Sequence, residues 1–119
     1  YGYHIKWNNV LLENCQSDNN IADGASNGAQ NSLIGSVNGI GIDAGISNIT
    51  IIGCNTTNNR CLNGPAFGIN AAGIPPLVPG NPPNNQPLPA QKVVIQNCIS
   101  MSNSSTNNVS YGIRIQGST

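Results

Sequence analysis

Two short patterns alternate along this chain and constrain its fold more than any other feature. The first is a glycine followed by an apolar, a variable and an apolar residue, and it lies in segments 1–5, 38–42, 67–71 and 111–115. The second is an alternating apolar run that ends in cysteine, and it lies in segments 10–15, 49–54 and 93–98. Both are short, rich in β-branched residues and bounded by Asn, Gly and Ser, which predicts strands.

Alternation assigns the apolar residues of each predicted strand to one face. In the first pattern these residues are Tyr3, Ile5, Ile40, Ile42, Ile69, Ala71, Ile113 and Ile115, and in the second they are Val10, Leu12, Ile49, Ile51, Val93 and Ile95. A repeat of two or three short strands cannot bury such a face alone, whereas stacked repeats can. The sequence therefore predicts a solenoid in which strands of successive repeats pair in parallel.

Charged residues are scarce in this chain. Four basic and four acidic residues give a net charge of zero, and charged residues make up 7% of the sequence. This excludes the basic surface that nucleic-acid binding needs. No apolar run reaches the length of about 18 residues that a transmembrane helix requires. The sequence therefore predicts an all-β protein with no nucleic-acid partner and no membrane insertion.

The repeated motif Gly-Ile-x-Ile, followed by Asn-(Val/Ile)-x-Ile-x-Asn-Cys and an Asn/Ser/Thr-rich turn, resembles the right-handed parallel β-helix of the pectin-lyase-like superfamily. The resemblance implies an all-β, right-handed parallel β-helix (a solenoid) of about three to four coils. Residues 1–119 would form a single domain or a fragment of a longer one. Long inserted loops are expected at about 21–37 and at the proline-rich segment 74–90.

Within that superfamily, segments 41–44 and 48–54 are similar to polygalacturonases. That family places an adjacent pair of aspartates next, because inverting hydrolysis needs two carboxyl groups flanking the scissile bond. Here the corresponding segment, 57–61, is Thr-Asn-Asn-Arg-Cys and contains no carboxylate. We therefore assign no catalytic residue and expect no activity from this chain alone. The alternative is a fragment of a polysaccharide lyase or glycoside hydrolase acting on uronate-type polysaccharide, with its catalytic residues on other coils.

The outward face of the first predicted strand contains much of the limited charge. Alternation places six candidate ligand-binding residues there: His4, Lys6, Asp43, Asn70, Arg114 and Gln116. Lys6 and Asp43 are expected within reach of each other on adjacent coils. Two interpretations stay open, a solvated face with one surface ion pair and a groove for polysaccharide, because enzymes of the resembling superfamily place their clefts on an outward strand face.

Cys15, Cys54 and Cys98 occupy the same position of the repeat, and we interpret them as a structural ladder of stacked thiols. A metal site needs ligands that converge on one point, so no metal and no cofactor are predicted. A disulfide between Cys54 and Cys61 stays open. The residues just before the ladder, Asn14, Gly53 and Asn97, tolerate left-handed backbone conformations and are expected at turns.

These observations favour a non-catalytic β-helix module, serving as a stalk, a fibre or a glycan-contact surface. The expected location is extracellular, on a cell surface or on a virion. The expected partners are further copies, stacked end to end or as a homotrimer, or the remainder of a longer chain, and polysaccharide is a candidate ligand. Strand edges exposed at both ends of a solenoid favour such association.

Overall fold

The computed structural model describes residues 1–22, 36–43, 45–71 and 90–115, which form twelve strands. We divide the chain into repeat 1 (residues 1–22), repeat 2 (36–61) and repeat 3 (66–105), followed by a last strand. The strands are β1 (Tyr3–Ile5), β2 (Val10–Glu13), β3 (Ile21–Ala22), β4 (Val37–Ile42), β5 (Ser47–Ile52), β6 (Asn55–Thr57), β7 (Arg60–Cys61), β8 (Ala66–Ala71), β9 (Gln91–Gln96), β10 (Ile99–Met101), β11 (Ser104–Ser105) and β12 (Ser110–Ile115).

Four parallel sheets collect equivalent strands from successive repeats. Sheet A has the order β1-β4-β8-β12, sheet B β2-β5-β9, sheet C β6-β10 and sheet D β3-β7-β11. Every strand pair is parallel, and the register joins like positions of the repeat, for example Ile40 with Ile69 and Ile49 with Val93. The described residues contain no helix that could cross a membrane. The all-β class and the parallel pairing predicted from the sequence are confirmed.

The strands of sheets A and B are those that the two sequence patterns predicted. The short strands of sheets C and D were not predicted individually. The predicted inserted loop was expected to begin at Ile21. In the structure, Ile21–Ala22 forms β3 and pairs with β7. The other end of that segment, Val37, begins β4. The rest of the two predicted loops, residues 23–35 and 74–89, lies outside the described residues.

The apolar core lies between sheets A and B and is centred on repeat 2 and the first strand of repeat 3. Ile40, Ile49, Ile51 and Ile69 are completely buried, and each such side chain contributes about 1.5–3 kcal/mol through removal of apolar surface from water. The equivalent residues of the last strand, Ile113 and Ile115, are 45% and 50% exposed, because β12 is the edge of sheet A among the described strands. Burial is complete where a strand lies on each side, as for Ile40 and Ile69, whereas Ile5 on the edge strand β1 is 6% exposed. This agrees with repeats that bury apolar surface by stacking.

Left-handed residues mark three bends in each repeat. Within each repeat, three residues with positive φ angles are spaced five positions apart. Equivalent positions have positive φ angles in all three repeats. The residues are Asn9, Asn14 and Asn19 in repeat 1, Asn48, Gly53 and Asn58 in repeat 2, and Lys92, Asn97 and Ser102 in repeat 3. Asn and Gly are the residues that adopt this conformation at least cost, which gives a physical reason for the abundance of asparagine.

Lys92→Asn is expected to increase the free energy of unfolding by about 1 kcal/mol, because a lysine at φ 51° carries a steric cost that asparagine largely avoids. The new amide would also extend the existing contact in which Asn48 Nδ2 donates to Asn9 Oδ1 at 2.9 Å. Urea unfolding measures the change. Lys6→Asn is the matched control, since it removes the same charge from an exposed lysine without a positive φ. Equal changes in both variants would contradict the prediction.

An asparagine ladder runs through the interior behind sheets C and D. Asn20 Nδ2 donates to Asn59 Oδ1 at 2.7 Å, and Asn59 Nδ2 donates to Asn103 Oδ1 at 2.8 Å. The same oxygens accept the backbone N–H groups of Asn20 and Asn59. Asn59 is completely buried. The ladder therefore satisfies polar groups that would otherwise be costly to bury.

A column of hydroxyl side chains lies beside this ladder and faces the repeated glycines of sheet A. Ser17 Oγ donates to the carbonyl of Gly39 at 2.8 Å, and Ser100 Oγ donates to the carbonyl of Gly112 at 2.7 Å. A Cβ atom on Gly68 would lie 1.8 Å from Ser100 Oγ. The first sequence pattern therefore begins with glycine because the hydroxyl column occupies the space of a side chain.

Candidate functional site

The outward strip of sheet A brings five of the six predicted ligand-binding positions into two neighbouring columns, one with His4, Asn70 and Arg114 and one with Lys6 and Asp43. Parallel register places His4 beside Gly41, Gly41 beside Asn70 and Asn70 beside Arg114. Asp43 follows the end of β4 and donates its backbone N–H to the carbonyl of Ile5. Gln116 lies outside the described residues.

His4 and Asp43 form a direct contact on this strip. His4 Nε2 lies 2.6 Å from Asp43 Oδ1, with 26% and 45% of the two side chains exposed. The ring of Tyr1 stacks on the imidazole with a centroid separation of 4.0 Å. Partial burial and the negative charge of Asp43 both raise the pKa of the Tyr1 hydroxyl. The expected ion pair between Lys6 and Asp43 is not formed, because Asp43 pairs with His4 instead.

The other end of the strip is aromatic. The rings of Phe67 and Tyr111 stack with centroids 5.7 Å apart, and the guanidinium of Arg114 lies over the Phe67 ring at 5.3 Å. Cation–π contacts of this kind are stabilising by about 0.5–1 kcal/mol at exposed sites. Asn70, between these groups and Gly41, is half-buried. Arg114 therefore contacts an aromatic ring, in addition to facing solvent as the sequence predicted.

The three repeat-equivalent cysteines lie together. Cys54 is buried in the main core, and Cys15 and Cys98 pack against it. The Cys15 backbone N–H donates to Cys54 Sγ at 3.4 Å. Burial is the main cause that raises the pKa of the Cys54 thiol; the hydrogen bond from the Cys15 backbone N–H opposes this rise, and the charges of Cys15 and Cys98 add to it. No disulfide joins Cys54 to Cys61, and no cluster of metal-ligating side chains occurs within residues 1–22, 36–43, 45–71 and 90–115.

The acidic residues of the described part of the chain belong to different sheets. Asp43 follows sheet A, Glu13 ends β2 of sheet B, and Asp18 lies beside sheet C. Asp18 Oδ1 accepts from Thr57 Oγ1 at 2.6 Å and from the Thr57 backbone N–H at 2.9 Å. These hydrogen bonds, together with one from Gln16, lower the pKa of the Asp18 carboxyl. Each aspartate is therefore engaged in a contact between repeats 1 and 2.

Sequence reasoning missed a cleft on the outer face of sheet D. It has a volume of about 360 Å³ and is lined by Ile21, Ala22, Arg60, Cys61, Leu62, Ser104 and Thr106. Parallel register places Ile21, Arg60 and Ser104 side by side on β3, β7 and β11. The strands concerned are only two residues long, so no alternation pattern identified this face in advance.

Polar and charged groups of the described residues therefore lie on the outward surfaces of sheet A and sheet D. On sheet A, His4, Asp43 and Arg114 already contact neighbouring side chains. On sheet D, Arg60 lies within an open cleft. No family model matches the chain, and neither a curated protein nor a solved structure matches it.

Proposed function

We propose that the chain is a right-handed parallel β-helix of the kind found in the pectin-lyase-like superfamily, with each repeat forming one coil. The support comes from the four parallel sheets, each of which takes its strands from successive repeats. Parallel strands of one sheet that are joined by a crossover are almost always connected with a right-handed twist. The columns of Asn, Ser/Thr and Cys would then run along the axis of the helix.

Its proposed function is that of a rigid, non-catalytic module of an extracellular, cell-surface or virion protein. The observation that carries this proposal is that the described side chains best suited to chemistry hold neighbouring repeats together. Asp43 contacts His4, Asp18 accepts from Thr57, and Asn59 bonds to both Asn20 and Asn103. Inverting or retaining hydrolysis of a glycoside needs two carboxyl groups on opposite sides of one bond, and the described carboxyl residues Glu13, Asp18 and Asp43 belong to different sheets.

A degradation assay tests the proposal. The chain is incubated with polygalacturonate, an acidic polysaccharide, and with a neutral glucan, and new reducing ends and unsaturated products are measured over time. We expect product formation equal to that of a blank, and the same from an Asp43→Asn variant. Turnover that is present in the natural sequence and lost in Asp43→Asn would contradict the proposal and support the interpretation as a lyase or hydrolase.

A further inference from the structure

The cleft on sheet D combines three kinds of side chain. Arg60 lies at its centre, Ile21 and Leu62 are aliphatic, and Ser104 and Thr106 carry hydroxyl groups. Because neighbouring strands are about 4.8 Å apart, the row from Ile21 through Arg60 to Ser104 spans roughly 10 Å. The volume of about 360 Å³ lies at the lower end of the range of small-ligand sites.

The side chain of Arg60 differs from those of Asp43 and Arg114 on sheet A. The Arg60 backbone N–H donates to the carbonyl of Asn20 at 2.8 Å, but the guanidinium makes no hydrogen bond or ion pair with the part of the chain that the structure describes. By contrast, Asp43 pairs with His4 and Arg114 lies over Phe67. A guanidinium presents five N–H donors in a planar fork that matches the two oxygens of a carboxylate or sulfate. None of the described residues that line the cleft is acidic, and Arg60 is the charged residue among them, so this lining favours an anion.

The aliphatic side chains narrow the class of ligand. Ile21 is 75% exposed and Leu62 is 47% exposed, so both present apolar surface beside a cation. Pyranose rings carry an apolar C–H face together with hydroxyl groups at their edge, which matches the aliphatic and the hydroxyl residues of the cleft. A peptide strand cannot add to this sheet here, because the cleft lies on the face of β7, whose two edges are already paired with β3 and β11.

We propose that this cleft binds an oligosaccharide that carries one oxyanion, a carboxylate or a sulfate, on the guanidinium of Arg60. The sugar ring packs on Ile21 and Leu62, and its hydroxyl groups bond to Ser104 and Thr106. This proposal rests on the proposed function of the chain as a non-catalytic surface module, because it assigns a ligand to that module. It places the contact on sheet D, rather than on the strip of sheet A that the sequence predicted.

Binding measurements on the whole chain test the proposal. The probes are a hexasaccharide of alternating glucuronate and N-acetylglucosamine, its sulfated counterpart, and maltohexaose as the neutral control. We expect one of the acidic probes to bind and to shift the Arg60 Nε–Hε resonance, and the one that binds more tightly identifies the oxyanion. Arg60→Gln is expected to weaken binding about tenfold or more, because a charge-assisted bidentate contact is lost. Arg60→Lys should give a smaller loss, because it keeps the charge without the fork.

Lys92→Gln is the matched control, since it removes one exposed positive charge from sheet B and should change the Kd less than twofold. The proposal is overturned if neither acidic probe binds, or if Lys92→Gln weakens binding as much as Arg60→Gln. It is also overturned if Arg114→Gln abolishes binding while Arg60→Gln does not, or if hexaglutamate binds more tightly than both saccharides. Cleavage of a bound probe would contradict the non-catalytic function but leave the cleft assignment intact.

Discussion

Gly68→Ala is expected to lower the free energy of unfolding by about 3 kcal/mol or more, enough to prevent folding of a domain of this size. A Cβ atom at this position would lie 1.8 Å from Ser100 Oγ, 2.5 Å from the Gly112 carbonyl oxygen and 2.7 Å from Asn103 Nδ2. The carbonyl is part of the neighbouring strand, so it cannot move without displacing β12. Relief of the contact therefore requires separation of two paired strands.

Gly112→Ala provides the matched control for Gly68→Ala. It introduces the same methyl group at the same position of the repeat, but the nearest atom is 3.1 Å away and the next two are beyond 3.5 Å. We expect a loss below about 1 kcal/mol, within the range of ordinary surface changes and small packing adjustments. Chemical unfolding followed by far-ultraviolet circular dichroism compares the two variants. A similar loss in both would show that the hydroxyl column does not set the requirement for glycine.

The second large effect is expected from Asn59→Ala, which should cost about 3 kcal/mol. The substitution removes the acceptor of Asn20 Nδ2 and of the Asn20 backbone N–H, and it removes the donor to Asn103 Oδ1 and to the Ser17 carbonyl. Asn59 is completely buried, so solvent does not replace these partners. Leaving buried polar groups without partners costs about 1–3 kcal/mol for each group.

Asn107→Ala is the matched control for Asn59→Ala. Asn107 is exposed, and its side chain donates one hydrogen bond, to Asn63 Oδ1 at 2.9 Å. We expect a loss of at most about 1 kcal/mol. Asn103→Ala, at the half-exposed end of the ladder, should give an intermediate loss, so the series remains informative if Asn59→Ala does not fold. Urea midpoints that do not follow this order would contradict the assigned role of the ladder.

The sequence predicted sheets A and B well, because their strands alternate between apolar and polar residues over several positions. Ile40, Ile42, Ile49 and Ile51 were assigned to inward faces and are buried. The turn residue Gly53 was expected in a left-handed conformation and has a φ of 62°. Both predictions depend on local causes. The burial of the isoleucines follows from the period of two along a strand, and the positive φ of Gly53 follows from the steric freedom of glycine.

Sheets C and D could not be predicted from alternation, since their strands span only two or three mostly polar residues. Their backbone conformation depends on pairing with other repeats. A signal was nevertheless present, because Cys-x-(Ser/Thr)-x-x-Asn occurs at residues 15–20, 54–59 and 98–103. The Ser/Thr position of this motif forms the hydroxyl column, and its Asn position forms the asparagine ladder. The threefold occurrence of the motif therefore identifies both.

The contacts of the candidate site were predicted less accurately than the strands. Which side chains pair depends on neighbouring contacts and on side-chain entropy as well as on position along the strands. Lys6 and Asp43 follow the paired residues Ile5 and Ile42, yet Asp43 contacts His4. The imidazole is held in place by the ring of Tyr1, whereas an exposed lysine loses conformational entropy when it forms an ion pair. The Arg60 cleft was missed because three residues from three repeats form its central row.

The regular spacing of the left-handed residues has a consequence for how this chain can change in length. Bends at residues 9, 14 and 19 recur at 48, 53 and 58 and at 92, 97 and 102, so the segment from sheet B to sheet C keeps one length in all three repeats. The longest connections fall after β3 and after β8, the two places where the described strands are separated by many residues. In repeat 2, one added residue between two bends would move Ile52 or Thr57, both β-branched, into the left-handed conformation. The connections after β3 and after β8 are therefore the places in the sequence where foreign peptides can be inserted without changing the spacing of the bends.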